Sequence, residues 1–175
     1  MKLTPDELLK QGYQARREHR LADAKDLFAE AVEVSRKAND GSSLARALTG
    51  LGQIESDLRE TAAALTHYED AVDLYRTLGD PLVLAHTVRH VADILRRQGQ
   101  LDQAAPRYKE ALAIYATNDQ TPPLDLANAL RGYALLKGDA GENEEARKLW
   151  REAGRLYAAV GIEAGVTEAE RRSRL

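Results

Sequence analysis

The sequence predicts an all-α fold built from four repeated helix pairs and a short final helix, and three observations carry this prediction. An alanine–aromatic–alanine pattern recurs four times at a nearly constant spacing. Between short clusters of Gly, Pro and Asn, the chain is dominated by Ala, Leu, Arg and Glu, which are strong helix formers. Apolar and polar residues nowhere alternate over a long stretch, so strands are not expected.

The repeated pattern reads Ala, three residues, an aromatic, two residues, Ala. Spacings of three and four residues fall on one face of a helix, where small residues let a neighbouring helix approach and the aromatic fills the gap. A small residue also precedes each copy by 12 positions, so each unit contains two helices. The copies, whose first alanines are 40, 40 and 42 residues apart, are Ala24–Phe28–Ala31, Ala64–Tyr68–Ala71, Ala104–Tyr108–Ala111 and Ala146–Trp150–Ala153.

Capping residues, prolines and glycines indicate where successive helices begin and end along the chain. Thr4-Pro5-Asp6-Glu7 provides an N-cap, a proline at the first helical position and a capping-box glutamate, so the first helix begins at Pro5. Asp80-Pro81 repeats this arrangement, and Gly79 and Gly161 follow helical stretches as stops. The predicted helices are 5–18, 21–38, 42–57, 61–78, 81–97, 101–117, 122–137, 142–160 and 163–173.

These motifs resemble the tetratricopeptide repeat, whose pattern combines a Leu-Gly step in the first helix with Ala-x3-aromatic in the second. Leu48-x2-Leu51-Gly52 is the best copy of the first half, and all four units match the second half. The long period resembles the subgroup found in kinesin light chains and LGN-type scaffolds. The resemblance implies a right-handed α-solenoid, as a single domain over residues 1–175. Its repeats would be about 5–38, 42–78, 81–117 and 122–160, with a capping helix at about 163–173.

Composition excludes several classes of function. The chain has no cysteine, so disulfides and thiolate metal sites are excluded. It has neither a secretory signal nor an apolar run long enough for a membrane helix, so we expect a cytoplasmic protein that does not bind membranes. A net charge of −3, with the aromatics committed to repeat packing, argues against a nucleic-acid partner. Homo-oligomerisation through the terminal helices remains an alternative.

No catalytic constellation is evident, and we expect neither an enzyme nor a cofactor. His86, His90 and Asp93 share one face of a first helix, where three ligands could chelate a metal. The zinc-protease arrangement His-Glu-x2-His is absent, however, and Arg89 beside them would repel a cation. We therefore expect a partner-binding surface at these residues and no metal.

The resemblance implies that the first helices line a concave groove that binds a peptide or protein segment, and basic residues recur on those helices. Arginine takes a carboxylate with two parallel hydrogen bonds, so we predict an acidic ligand. The alternative is that these charges form a solvated face, with Asp93 paired to Arg89, Arg96 or Arg97. The groove could be open or filled by the C-terminal helix. The predicted groove residues are Arg46, His86, Arg89, His90, Asp93, Arg96, Asn128 and Arg131.

The leading functional hypothesis is therefore a protein-interaction or scaffolding module. The alternative is a regulatory protein of the same fold that senses a ligand or peptide without catalysing a reaction.

Overall fold

The computed structural model describes residues 3–174, and across them the chain is all-α, without strands. Every helix boundary lies within two residues of its predicted position, and the all-α repeat fold is confirmed. The helices are α1 Pro5–Arg17, α2 Leu21–Ala38, α3 Gly41–Asp57, α4 Thr61–Leu78, α5 Pro81–Arg97, α6 Leu101–Ala116, α7 Pro123–Asp139, α8 Asn143–Ala159 and α9 Glu163–Ser173.

The predicted helix starts and stops depend on specific local contacts. The Thr4 hydroxyl accepts a hydrogen bond from the Glu7 amide at 3.3 Å, and the Glu7 carboxylate accepts one from the Thr4 amide at 2.8 Å. This closed capping box satisfies two amides that the first turn leaves without helical partners. Helix α4 ends at Gly79, whose φ of +74° is the left-handed conformation that glycine adopts without steric cost.

Contacts divide the chain into two compact units, 1–87 and 88–175, with the boundary inside α5. The first unit contains α1 to α4, in which each helix packs on the next and α1 also packs on α3. Phe28 is fully buried between two glycines, Gly12 and Gly50, where an added Cβ would lie 2.9 and 2.5 Å from its ring. The small-residue and aromatic pattern therefore does mark the closest helix contacts of this unit.

The second unit contains the remainder of α5 together with α6 to α9. Here α6 packs on α7, α7 on α8, and α8 on α9. Tyr108 and Trp150 are buried, and Tyr157 lies against Gly165 of α9, where an added Cβ would come within 2.5 Å of the ring. Helix α9 is therefore packed onto the second unit. The single domain over 1–175 stays a prediction.

Candidate partner-binding site

The structure divides the eight predicted groove residues between the two units. Arg46 of α3 and His86 of α5 belong to the first unit. The second unit holds the other six, which lie on the C-terminal part of α5 and on α7. Those six are Arg89, His90, Asp93, Arg96, Asn128 and Arg131.

In the first unit, Arg46 is paired with an acid on the neighbouring first helix. Its Nη1 donates to Oδ1 of Asp6 at 2.8 Å, so the contact joins α3 to α1. Both side chains are well exposed, and exposed ion pairs contribute about 0–1 kcal/mol to stability. His86 is half-buried and also engaged in an interaction.

Arg89 is a buried cation whose charge is compensated within its own helix. Its Nη1 donates to Oδ2 of Asp93 at 2.7 Å, and its Nη2 lies 3.0 Å from Nε2 of His90. The predicted pairing of Asp93 with Arg89 is thus confirmed, although the pair is not solvated because the Arg89 side chain is only 10% exposed. Arg89 therefore presents little of its charge to a ligand.

Asp93 links α5 to the second helix of its repeat through its other oxygen. The Tyr108 hydroxyl donates to Oδ1 of Asp93 at 2.5 Å. Burial, followed by the adjacent Asp93 charge, raises the pKa of Tyr108 far above its usual value, so the phenol stays protonated and remains a donor. Gly132 of α7 makes this contact possible, since an added Cβ would lie 2.9 Å from both Oδ1 of Asp93 and the Tyr108 hydroxyl.

Arg131 binds a carboxylate with two hydrogen bonds. Its Nε and Nη2 donate to Oε2 and Oε1 of Glu168 on α9, at 2.7 and 3.1 Å. This fork geometry is the one for which arginine is suited, and here the capping helix supplies the acid. The Arg131 side chain is 41% exposed, so solvent or a second carboxylate can reach it.

Two further predicted residues also have partners in the second unit. Arg96 donates to Oδ2 of Asp139 at 2.8 Å, which joins the ends of α5 and α7. The side-chain oxygen of Asn128 accepts a hydrogen bond from the Tyr157 hydroxyl at 2.8 Å. Each predicted arginine therefore already holds a carboxylate from its own unit.

Apart from Asp93, the acids that complete these pairs were missed by the sequence reasoning, although a signal for two of them was present. Asp6 and Glu168 occupy the same repeat position as Arg46, His86 and Asn128, at steps of 40, 40, 42 and 40 residues. Extending that position into the first and last helices would have placed an acid at each end of the series.

Two further features are absent among residues 3–174, a cluster of metal ligands and a membrane-spanning helix. No three His, Asp or Glu side chains of this range lie close enough together to hold a metal ion. None of the helices within it combines the length and the apolarity that crossing a membrane requires.

Comparison with known proteins identifies the repeats. A tetratricopeptide repeat family model matches residues 7–77, which cover most of α1 to α4, and the predicted resemblance is confirmed. No curated protein matches the sequence.

Solved structures extend the likeness in fold to nearly the whole chain. BtubC from P. vanneervenii is 20% identical, with a TM-score of 0.80 over 91% of this chain and 67% of that one. A STAND signal transduction ATPase with a tetratricopeptide repeat sensor, from Pyrococcus horikoshii, is 17% identical, with a TM-score of 0.84 over 97% of this chain but only 26% of its own. Another similar structure is that of the TPR-like repeats, nearly identical to one another, of a kinesin light chain assigned in Podosopora anserina. It is 15% identical to this chain, with a TM-score of 0.72 over 99% of this chain and 96% of that one.

Proposed function

We propose that this chain is a binding module whose second unit holds an acidic segment of a protein partner, because residues 7–77 match a tetratricopeptide repeat family model and such repeats generally mediate protein–protein interaction or scaffolding. The ion pair between Arg131 and Glu168 is the observation that carries this proposal. It supports a surface on α7 that takes a carboxylate in a two-bond geometry and leaves the guanidinium 41% exposed.

A partner's carboxylate would bind by taking the place of Glu168. Partly exposed ion pairs contribute only about 0–1 kcal/mol, so exchanging one carboxylate for another at Arg131 costs little. Further contacts of the partner with the surrounding surface would then favour the intermolecular pair. The proposed role requires no catalytic step.

The other predicted residues of the second unit support Arg131 in different ways. Arg89 and Asp93 neutralise each other, and together with His90 they form a polar cluster on α5. Arg96 and Asn128 are held by Asp139 and Tyr157 and serve to position α7. For the first unit we propose that Arg46, with His86 on the same repeat position, offers a similar contact through exchange at Asp6.

Affinity capture from a lysate of the source cells tests the proposal. The baits are the native chain, Arg131→Glu, and Arg155→Glu as the control, because Arg155 is an exposed arginine of α8 outside the site. We expect prey that the native chain and Arg155→Glu retain and that Arg131→Glu loses. A folded Arg131→Glu protein that retains the same prey in full would overturn the proposal.

One observation favours a second candidate, a sensing role. The acid that Arg131 binds lies on α9, so a ligand that displaces Glu168 removes one attachment of that helix. The similar archaeal protein is described as having a tetratricopeptide repeat sensor. Faster amide hydrogen exchange in 163–173 when ligand binds would support sensing, and unchanged exchange would leave a passive module.

A further inference from the structure

The second unit contains a cleft, separate from the Arg131–Glu168 pair, that three arginines line. It has a volume of about 570 Å³ and lies among the ends of α5, α7, α8 and α9. Its charged residues are Arg96, Arg147, Arg172 and a single acid, Asp139. Of these three arginines, only Arg96 is among the predicted groove residues.

The positive charges of this cleft are not balanced. Asp139 is already bound to Arg96 at 2.8 Å. Within residues 3–174, neither Arg147 nor Arg172 has a hydrogen-bond or ion-pair partner. The Nε of Arg96 is also buried without a hydrogen-bond partner among those residues, and leaving such a donor unsatisfied costs free energy. Three guanidinium groups thus face one carboxylate.

Comparing equivalent positions in successive repeats shows which residues Arg172 and Trp150 of this cleft replace. Arg172 occupies the position of Gly132, 40 residues later, and Trp150 occupies that of Tyr108, 42 residues later. Gly132 lets α7 lie directly against Tyr108. At the equivalent place on α9 the glycine is replaced by a long cationic side chain beside Trp150, so the close helix contact is replaced by an open, basic cleft.

We propose that this cleft binds an acidic peptide segment, with side-chain carboxylates held by Arg147 and Arg172. Charge complementarity specifies the ligand as anionic, and the planar guanidinium matches a carboxylate. The apolar lining from Leu135 and Trp150 specifies a peptide, because glutamate side chains bring methylene groups that such walls can cover, whereas a free inorganic anion does not. The site does not depend on exchange at Arg131.

Trp150 gives a direct measurement, since it is the only tryptophan of the chain and lines the cleft. The probe is a hexaglutamate peptide, titrated at constant ionic strength while the Trp150 emission is followed. Hexaglutamine serves as the uncharged control. We expect a saturable change in emission with hexaglutamate and none with hexaglutamine. No response to hexaglutamate in the native protein would overturn the proposal.

Variants locate the binding. Arg147→Gln and Arg172→Gln remove one charge each and should each weaken hexaglutamate binding about tenfold. Arg155→Gln makes the same charge change on an exposed position of α8 and should leave the affinity unchanged. Circular dichroism checks that all variants fold. Equal affinity across the set, or an equal loss in Arg155→Gln, would overturn the proposal.

Two further arms separate this site from its alternatives. Arg131→Gln should retain the full Trp150 response, so failure of the proposed function at Arg131 and failure of this site are distinguishable. Inorganic phosphate, added at matched ionic strength, should not compete. If phosphate instead displaces the peptide and reproduces its Trp150 response, the cleft is a phosphate site and the peptide proposal is wrong.

Discussion

Single glycines decide how closely the helices of the second unit approach. Gly132 faces both Tyr108 and Asp93, so it allows the hydrogen bond between them to lie against α7. Gly138, one and a half turns further along the same helix, faces open space. The two positions therefore form a matched pair, in which the same added methyl group meets opposite surroundings.

Gly132→Ala should destabilise the protein and Gly138→Ala should not. At Gly132 the new Cβ would lie 2.6 Å from the Tyr108 ring, and such overpacking costs about 1–3 kcal/mol. At Gly138 the alanine gains helix propensity worth up to about 1 kcal/mol. Urea unfolding measures both free energies, and an equal effect at the two positions would contradict the assigned contact.

The buried hydroxyl of Tyr115 makes the free energy of unfolding depend on pH in the alkaline range. Its hydroxyl is buried and has no hydrogen-bond partner among residues 3–174. Burial, with the nearby Asp125 charge, raises the pKa of Tyr115 to about 12, against an ordinary value of 10.0. The folded state thus keeps a proton that the unfolded state releases above pH 10, so this contribution to stability is complete below pH 10 and is lost as the pH rises to about 12.

Tyr115→Phe should therefore unfold less steeply at alkaline pH. At neutral pH the variant breaks no hydrogen bond, so its free energy of unfolding should stay within about 1 kcal/mol of the native value. Between pH 10 and about 12 it should lose less stability than the native chain. Urea unfolding at pH 7 and along this range checks both statements. An identical alkaline slope in the two proteins would show that Tyr115 does not titrate as assigned.

At this scale the sequence reveals which positions repeat but not which residues pair. The i,i+4 spacing made Arg89 one of three candidate partners for Asp93, and the structure selects Arg89. Arg131 and Glu168 are 37 residues apart, and their pairing depends on how α9 packs on α8. That packing is a tertiary property, although the repeat position shared by Glu168 and Asn128 was a usable signal.

Among the elements, α9 is the most informative. It is 11 residues long, whereas α5 and α7 each have 17. Gly165 and Ala169 are its buried positions, and Glu168 adds the ion pair to Arg131. The predicted capping helix is therefore also the element that supplies an acid to the candidate site and an arginine to the basic cleft.

Gly165→Ala should loosen α9 selectively. The added Cβ would come within 2.5 Å of the Tyr157 ring, which cannot move freely because its side chain is buried and its hydroxyl binds Asn128. We expect amide hydrogen exchange to accelerate across 163–173 while α1 to α4 keep their native rates. Uniform acceleration along the chain would instead indicate global destabilisation.

Helix positions could be predicted well because their signals are local. The capping residue Thr4, with Pro5, and the left-handed glycines Gly79, Gly99, Gly141 and Gly161 lie within a few residues of helix boundaries. The largest deviation is at α7, which continues through Gly138 to Asp139. The predicted end at residue 137 falls two residues short, and the left-handed residue of the turn that follows is Gly141.

For the molecule as a whole, a net charge of −3 conceals local positive sites. Whether an arginine is available to a ligand depends on whether it is already paired. Arg131 is paired with Glu168, whereas the side chains of Arg147 and Arg172 pair with no acid among residues 3–174. Composition leads us to expect no nucleic-acid partner, but it cannot separate paired from unpaired arginines. That distinction requires the three-dimensional arrangement of α7, α8 and α9.

Salt should weaken binding of an acidic ligand to this near-neutral protein. The contacts at both sites are partly exposed, and the distance beyond which salt largely screens exposed charges shortens from about 10 Å at 0.1 M to about 3 Å at 1 M ionic strength. Raising NaCl from about 0.05 M to about 0.5 M should lower the affinity for hexaglutamate about tenfold or more. Titrations across this range measure the slope, and a salt-independent affinity would mean that apolar contacts, rather than charge, hold the ligand.

We propose that an acidic ligand replaces Glu168 at Arg131, and a double-mutant cycle tests this most directly. The cycle compares affinities for hexaglutamate, measured by the fluorescence anisotropy of the labelled peptide. The four proteins all carry Arg147→Gln and Arg172→Gln, so that the basic cleft does not contribute, and they have Arg131 and Glu168 unchanged, Glu168→Gln, Arg131→Gln or both of these changes. We expect Glu168→Gln to bind hexaglutamate more tightly than the protein in which Arg131 and Glu168 are unchanged, because the competing acid is gone. This gain in affinity should disappear when Arg131 is also changed. A gain that persists without Arg131, or no gain at all, would contradict the proposal.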